Sequence, residues 1–241
     1  MKGKQGKKPN FLVDINRDIL EDLTEDGNVK NIVGLAGILK ELDEVKDICG
    51  LEFNGYLVKV EIPRPSGIID EVVVAFAERA VDRGRTGDGI RVKEYFMPGK
   101  RLLISGQQQT LKDFSSGKVQ VFILADYIGR SPKALPQNDA AFIGELAYKP
   151  ILRETSRGKK LAEIFVKTEN ALTGGYSFIP CICWQEQAEE VVKWRPGDKV
   201  KLYGRCQSRK YSKLIDDITG ERETRTAYEI SVHLIKKEGE A

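Results

Sequence analysis

Glu186-Gln-Ala-Glu-Glu-Val-Val-Lys-Trp194 is the stretch of sequence that decides the fold. Ala188, Val191 and Val192 recur with the spacing of one helix face, and Pro196 prevents the helix from continuing. The sequence on both sides has a different pattern, with short and often alternating runs rich in β-branched residues between Gly and Pro. Three such runs precede the helix in its half of the chain and two follow it.

This order of elements predicts an OB-fold, which is a five-stranded Greek-key barrel. A second set of five runs lies nearer the N-terminus, so we predict an all-β protein with two tandem OB-fold barrels and a short helix between strands 3 and 4. The ten candidate strands are Asn31–Leu39, Tyr56–Ile62, Glu71–Ala77, Arg101–Thr110, Lys118–Tyr127, Ala141–Tyr148, Lys160–Lys167, Tyr176–Trp184, Lys199–Lys213 and Thr226–Ile235.

An approximate internal repeat supports two domains. Val33–Leu39 resembles Ala140–Leu146, and Met97–Gln109 resembles Arg195–Gln207, with Pro, Gly, Gly and Gln coinciding in the second pair. The copies meet near Ser131–Asn138, where two prolines and polar ends are typical of a linker. We therefore divide the chain into a basic tail and lead-in (1–28), a degenerate OB-fold (29–130), a linker (131–138) and a second OB-fold (139–237).

Composition excludes several classes of protein. The chain has 241 residues, 41% hydrophobic and 31% charged, which is too apolar for a disordered protein. It contains no apolar run near the ~20 residues of a membrane helix, and the basic start Met1–Lys8 has no apolar region of a secretory signal after it. Four cysteines are too few for a disulfide scaffold of this size and indicate a reducing, cytoplasmic compartment. The single histidine argues against His-based metal sites and most hydrolase triads.

Charge is distributed unevenly along the chain. The net charge is +3, but residues 9–139 carry about four more acids than bases, while residues 140–241 carry 18 Lys/Arg and 15 Asp/Glu. The second half is therefore the better candidate for binding a polyanion.

Lys199–Lys213 is the most informative candidate strand. Side chains alternate along a strand, so Val200, Leu202, Gly204 and Cys206 suit a barrel interior. The opposite face has five cations, two tyrosines and one amide: Lys199, Lys201, Tyr203, Arg205, Gln207, Arg209, Tyr211 and Lys213. Rings that stack on bases, interleaved with cations that follow phosphates, are typical of single-stranded nucleic-acid binding. The alternative is a solvated outer sheet face, although such faces usually mix both signs of charge.

Two further segments favour the same function. The strand Tyr176–Trp184, which we place beside Lys199–Lys213, presents Tyr176, Phe178 and Trp184 on one face as a stacking platform, although each ring could instead pack the barrel or the helix. The loop before Lys160 is basic and matches the first ligand-clamping loop of OB-folds; its candidate phosphate contacts are Arg157, Lys159 and Lys160. The loop Leu214–Thr226, which corresponds to the other clamping loop, carries acids as well as arginines.

Motifs of the second repeat occur in a familiar combination. They are Ile143-Gly-Glu-Leu, Pro150-Ile-Leu-Arg-Glu-Thr, Cys183-Trp184 followed by Gln187-Ala-Glu, Pro196-Gly-Asp-Lys-Val-Lys-Leu-Tyr-Gly-Arg-Cys-Gln-Ser-Arg-Lys-Tyr211, and Tyr228-Glu-Ile. With them, residues 139–237 resemble the bacterial single-stranded DNA-binding protein family, and residues 29–130 resemble it weakly. The resemblance implies that Phe178, Trp184 and Tyr211 stack on bases and that Arg205–Arg209 lies along the DNA. It also implies a homodimer with four barrels, as in tandem members of the family.

The sequence departs from the family in two places. The acidic tail with an apolar tip, through which the family recruits replication and recombination proteins, is absent from Lys-Lys-Glu-Gly-Glu-Ala241. In the first repeat, Ser105, Gln107, Leu111 and Asp113 occupy the positions of Tyr203, Arg205, Arg209 and Tyr211. This copy is expected to support assembly, or to bind DNA weakly through Tyr56, Phe76, Tyr95 or Phe96.

Other chemistries are poorly supported. Cys181-x-Cys183, with Cys206, lacks zinc-ribbon spacing and is better explained by small thiols inside a barrel. We find no catalytic constellation and expect no enzyme activity, no metal and no cofactor. Sequence-tolerant single-stranded DNA binding in replication, recombination or repair is the leading hypothesis. An RNA-binding OB-fold protein and a protein-interaction scaffold of a replication or primosome complex are the alternatives.

Overall fold

A computed structural model describes residues 30–82, 91–155, 158–217 and 219–238, and in this part the chain forms eleven strands and two short α-helices. The predicted tail, 1–28, lies outside the described residues. The strands are β1 (Asn31–Ile48), β2 (Leu51–Pro63), β3 (Ile69–Phe76), β4 (Arg101–Lys112), β5 (Val119–Arg130), β6 (Gln137–Leu146), β7 (Ile151–Glu154), β8 (Lys160–Glu169), β9 (Tyr176–Trp184), β10 (Lys199–Leu214) and β11 (Arg222–Lys237); the helices are α1 (Val92–Tyr95) and α2 (Glu186–Val191).

The strands form two closed five-stranded barrels. In the first barrel the order is β2-β3-β5-β4-β1, and a β1–β2 pairing closes it. In the second barrel the order is β6-β10-β11-β9-β8, closed by β6–β8, and β7 is added at the edge of β8. Each barrel has one parallel pairing, β3 with β5 and β9 with β11, as a Greek-key path requires. The predicted tandem OB-fold architecture, with a short helix between strands 3 and 4, is confirmed.

A pseudo-twofold axis relates the barrels. β1 and β6 pair antiparallel, with Val33 opposite Ala140, and these two residues occupy the same position of the repeat. Asn31 and Asn138 are also equivalent, and each clamps the fourth strand of its own barrel. Asn31 bonds both the backbone N–H and the carbonyl of Gln108, at 2.9 and 2.7 Å, and Asn138 bonds Cys206 in the same way. The β1–β6 pairing thus joins both barrels in one continuous sheet.

The glycines that recur in the repeat have a packing cause. Gly106 and Gly204 lie at register shifts in the β4–β5 and β10–β11 pairs. A Cβ at either position would collide with a backbone carbonyl oxygen of the paired strand, at Leu124 or Ser231. Both barrels therefore need glycine at this bulge.

Two elements differ from the sequence-based expectation. The predicted loop Leu214–Thr226 is shorter than expected, because β10 and β11 form a long hairpin that is paired as far as Leu214 opposite Arg222. The predicted helix Glu186–Trp194 ends at Val191, and Trp194 packs in the core. Residues 131–136 connect β5 with β6, and the division into domains stays a prediction. Within the described ranges, the structure contains no helix that is long and apolar enough to cross a membrane.

Candidate nucleic-acid interface

The outer face of β8 and β9 carries the rings. The sequence of β9 alternates, so Ser177, Ile179, Cys181 and Cys183 point into the barrel. Tyr176 and Phe178 point outward and are 59% and 38% exposed, and Trp184 is half-buried at the other end of the strand. The structure therefore brings the three predicted rings of this strand to one solvent-facing surface.

Tyr148 and Phe165 also belong to this surface, and neither residue was predicted from the sequence. The Tyr148 ring stacks on Phe178 with centroids 6.0 Å apart and an interplanar angle of 24°, and it meets the edge of Phe165 at 5.7 Å. Tyr148 is 55% exposed, so it offers a ring to solvent. The signal for Phe165 was present in the alternation of β8, where Leu161, Phe165 and Lys167 share the outward face.

A groove lies between the aromatic residues and β10. The Nζ of Lys167 is 4.0 Å from the centre of the Tyr176 ring and 3.7 Å from a Glu145 carboxylate oxygen. The groove is about 420 Å³ in volume and is lined by Lys30, Ile143, Gly144, Glu145, Lys167, Thr168, Glu169, Tyr176, Lys199 and Glu238. Since β6 lies between β8 and β10, the groove connects the ring-bearing strands with the lysines at the start of β10.

β10 does not present one uniform face, and the predicted neighbour relation is wrong. β11 separates β9 from β10, since β10 pairs only with β6 and β11 among the described strands. The outward face of β10 has no acidic residue of its own, but acidic residues from other elements contact it. At the start of β10, Lys201 pairs with Glu238 at 3.5 Å, and the Tyr203 hydroxyl donates to Asp139 at 2.7 Å.

The middle of β10 lies at the seam between the barrels. Arg205 is half-buried, and its Nη1 is 3.5 Å from the fully buried carboxylate of Asp70 on β3. Burial and the nearby Arg64 guanidinium lower the pKa of Arg205. Gln207 is buried and donates to Glu229 at 2.7 Å. These contacts engage Arg205 with the first barrel and bury Gln207, and the DNA contact expected of both residues stays a prediction.

The far end of β10 projects as a hairpin. Arg209 pairs with Glu229 at 3.2 Å, and its guanidinium is 5.8 Å from the centre of the Tyr211 ring. Tyr211 is 38% exposed, and Lys213 is exposed opposite Glu223 on β11. Of the predicted site residues, this hairpin therefore carries one ring and two cations, accompanied by acids on the neighbouring strand.

The predicted basic loop contributes less free charge than its sequence suggested. Arg157 lies outside the described residues, and Lys159 is exposed. Lys160 forms an ion pair with Glu189 of α2, which raises the pKa of the lysine through their hydrogen bond. Arg153 pairs with Glu163 at 3.4 Å.

Three of the four cysteines lie inside the barrels. Cys181, Cys183 and Cys206 are buried, and burial raises the pKa of Cys183 and of Cys206 to about 12. These thiols therefore remain protonated and act as small apolar side chains. The described parts of the chain contain no group of three or more His, Cys, Asp or Glu side chains placed to hold a metal ion.

Three of the four first-barrel rings that the sequence analysis named are core residues. Tyr56, Phe76 and Phe96 are almost fully buried, and Tyr56 stacks on Phe76 with centroids 5.3 Å apart. Tyr95 is half-buried against Phe96 at 4.7 Å, and the Arg130 guanidinium lies 5.4 Å from its centre. The hypothesis that these rings bind DNA is therefore wrong for the three buried ones.

The fold and the surface together define a class: a two-barrel OB-fold protein whose second barrel exposes rings and cations on its strand 2–3 face. Residues 137–236 match the family model described as "Single-strand binding protein family". The match covers the second barrel, and it confirms the resemblance found in the sequence of residues 139–237.

Solved structures extend the likeness to both barrels. One is the wild-type single-stranded DNA binding protein from Thermus aquaticus, with a TM-score of 0.61 and 17% identity over 88% of this chain and 94% of that chain. Another is a deletion mutant of the same protein, with a TM-score of 0.60 and 18% identity over 88% and 95%. This likeness shows the shared fold. A search of curated proteins gives no match.

Proposed function

We propose that this protein binds single-stranded DNA, with little sequence preference, on the outer face of β8 and β9 and in the adjoining groove. The observation that carries the proposal is the exposed ring cluster, with Lys167 against Tyr176, in a barrel that matches the single-strand binding protein family. The two neighbours named above are single-stranded DNA binding proteins from Thermus aquaticus, which supports the same ligand.

The mechanism follows from the chemistry of the surface. Tyr148, Tyr176 and Phe178 offer ring faces on which successive bases stack, and stacking tolerates any base because every base has a π-face. Lys167 and Lys199 line the groove beside the rings and attract the phosphates. Trp184 and Tyr211 extend the path along the barrel and towards the hairpin.

The protein acts in DNA replication, recombination or repair by holding single strands of DNA, as a binding protein and not an enzyme. It assembles as a homodimer with four barrels, two from each chain. Arg205 fixes β10 against Asp70 of the first barrel, and Gln207 fixes it against Glu229 of β11. Both residues therefore have a positioning role.

The test is a titration with a dT oligonucleotide, followed by tryptophan fluorescence at low and moderate salt, with an rU oligonucleotide in parallel. Trp194 is buried in the core, so a change in emission should come mainly from Trp184. Phe178→Ala or Tyr148→Ala should each weaken dT binding by roughly 1–3 kcal/mol through the loss of stacking.

A matched control separates stacking from general damage. Leu135 is 83% exposed on the connection between β5 and β6, so Leu135→Ala removes a solvent-facing apolar side chain that is not part of the proposed surface. It should leave the affinity for dT unchanged. Unchanged affinity in Phe178→Ala and Tyr148→Ala would contradict the proposal, and equal or tighter binding of rU would make RNA the ligand.

A further inference from the structure

A second concave site lies on the first barrel. It is a cleft of about 620 Å³ between the β1–β2 turn and the β4–β5 turn. Ile48, Leu57 and Cys49 give it an apolar wall, and Phe114 adds a ring that is 89% exposed. Burial of such a ring against an apolar wall contributes strongly to the binding of a partner.

The remaining side chains of the cleft determine the charge of a matching ligand. Asp47 and Asp113 line the cleft, one from each turn, and Ser115 and Gln120 complete the lining. Hydrogen bonds from the Ser115 and Ser116 hydroxyls lower the pKa of Asp113 to about 2, so it stays negative at every physiological pH. Two carboxylates disfavour a phosphate chain and favour a cation next to an apolar side chain.

We infer that the occupant of this cleft is the N-terminal segment of the same chain, residues 7–13. This segment reads Lys-Lys-Pro-Asn-Phe-Leu-Val and follows two further lysines, Lys2 and Lys4. It combines cations with an apolar trio within a few residues, which complements the two carboxylates and the apolar wall. The inference does not depend on the protein's binding to DNA.

The tether is long enough for docking within one chain. About 19 residues separate Phe11 from Lys30, and an extended chain of this length spans at most about 63–68 Å. β1 has 18 residues from Asn31 to Ile48 beside the cleft, which at roughly 3.3 Å per residue is at most about 59 Å.

Cys49 provides a natural reporter for this docking. It lines the cleft and is half-buried, whereas Cys181, Cys183 and Cys206 are buried in the barrels. We would introduce Asn10→Cys in the full chain and add oxidised glutathione, which accepts the two electrons released when the thiols join. A disulfide between positions 10 and 49 should form within single chains, at a rate independent of protein concentration, and be found by peptide mass spectrometry.

Three further variants in the Asn10→Cys background decide the outcome. Phe11→Ala should slow disulfide formation about tenfold by removing the apolar anchor, and Gln120→Lys should slow it similarly by repelling Lys7 and Lys8. Gln120→Glu, the matched control, should not slow it. Equal rates in all of them would mean random encounter and would overturn the inference. Cross-linking between chains alone would overturn it as well, since the segment would then dock on another molecule.

Discussion

The two barrels share one topology but use the same outer face in opposite ways. β3 and β9 are equivalent strands, since Val74 pairs in parallel with Ile123 as Cys181 does with Ile230. Phe178 of the second barrel therefore corresponds to Glu71 of the first. In the second barrel this face exposes rings to solvent.

In the first barrel the corresponding face is closed by packing. Leu57, Val73 and Leu124 lie on its outer side and belong to an apolar cluster separate from the main core. The β1–β2 turn folds onto them with Ile48 and Phe53, and Leu172 of the second barrel packs against the same cluster. The rest of the face is neutralised by ion pairs, such as Lys40 with Glu61 at 2.7 Å and Lys59 with Glu41 at 2.8 Å. Duplication of the barrel has not duplicated the exposed aromatic surface.

The seam between the barrels shows a second asymmetry. On one side Asp70 pairs with Arg64 and Arg205 and accepts the backbone N–H of Ser208 at 3.3 Å. On the pseudo-symmetric side Ser177 stands in place of Asp70, and it receives hydrogen bonds from Asn170 at 2.9 Å and the Thr110 N–H at 3.1 Å. The same geometry is thus held by an ion cluster on one side and by neutral groups on the other.

The largest effect is expected when the ion cluster is broken. Asp70→Ala leaves two partly buried cations without their shared carboxylate, and the free energy of unfolding should fall by about 3–5 kcal/mol. Ser177→Ala on the neutral side should lower it by about 1–3 kcal/mol, because buried hydrogen-bond donors lose their acceptor. Urea unfolding curves of the two variants measure the difference directly. Equal losses in both would mean that the charges of the seam add nothing to its stability.

Next in size is the salt dependence of DNA binding, which distinguishes the faces of the two barrels. Lys167→Ala removes a cation beside the Tyr176 ring, so the slope of log K against log salt should become shallower by about 0.7 for one lost phosphate contact on a single strand. Lys59→Ala removes a half-buried lysine of the first barrel whose Nζ lies 2.8 Å from Glu41, closer than the 3.7 Å between Lys167 and Glu145, and the slope should not change. A change of slope in Lys59→Ala would show that this face of the first barrel also contacts the DNA.

The sequence predicted the fold well because strand alternation, the helix stop at Pro196 and the recurring glycines are local signals. It also identified the rings of β9, since alternation alone assigns Tyr176, Phe178 and Trp184 to one side. It did not predict the contacts of Arg205 and Gln207 with Asp70 and Glu229, because these partners are far away in sequence. The closed face of the first barrel was not predicted for the same reason: the residues that cover it come from the β1–β2 turn and from Leu172 of the other barrel.

The smallest effect concerns one position of the β4–β5 and β10–β11 hairpins, where the first barrel has Asp113 and the second has Tyr211. Asp113 closes its turn by accepting hydrogen bonds from Ser115 and Ser116 at 2.6 and 2.7 Å, and its pKa falls from the ordinary 3.8 to about 2. Because the folded-state pKa is the lower one, the contribution to stability is fully present above pH 3.8 and is lost as the pH falls through about 2. An NMR titration of the Asp113 carboxyl should therefore have its midpoint near 2, and Ser115→Ala should move it towards 3.8. A midpoint near 3.8 in the unaltered protein would show that the carboxylate does not hold the turn, and the two hairpins would then differ only in the ring that Tyr211 offers.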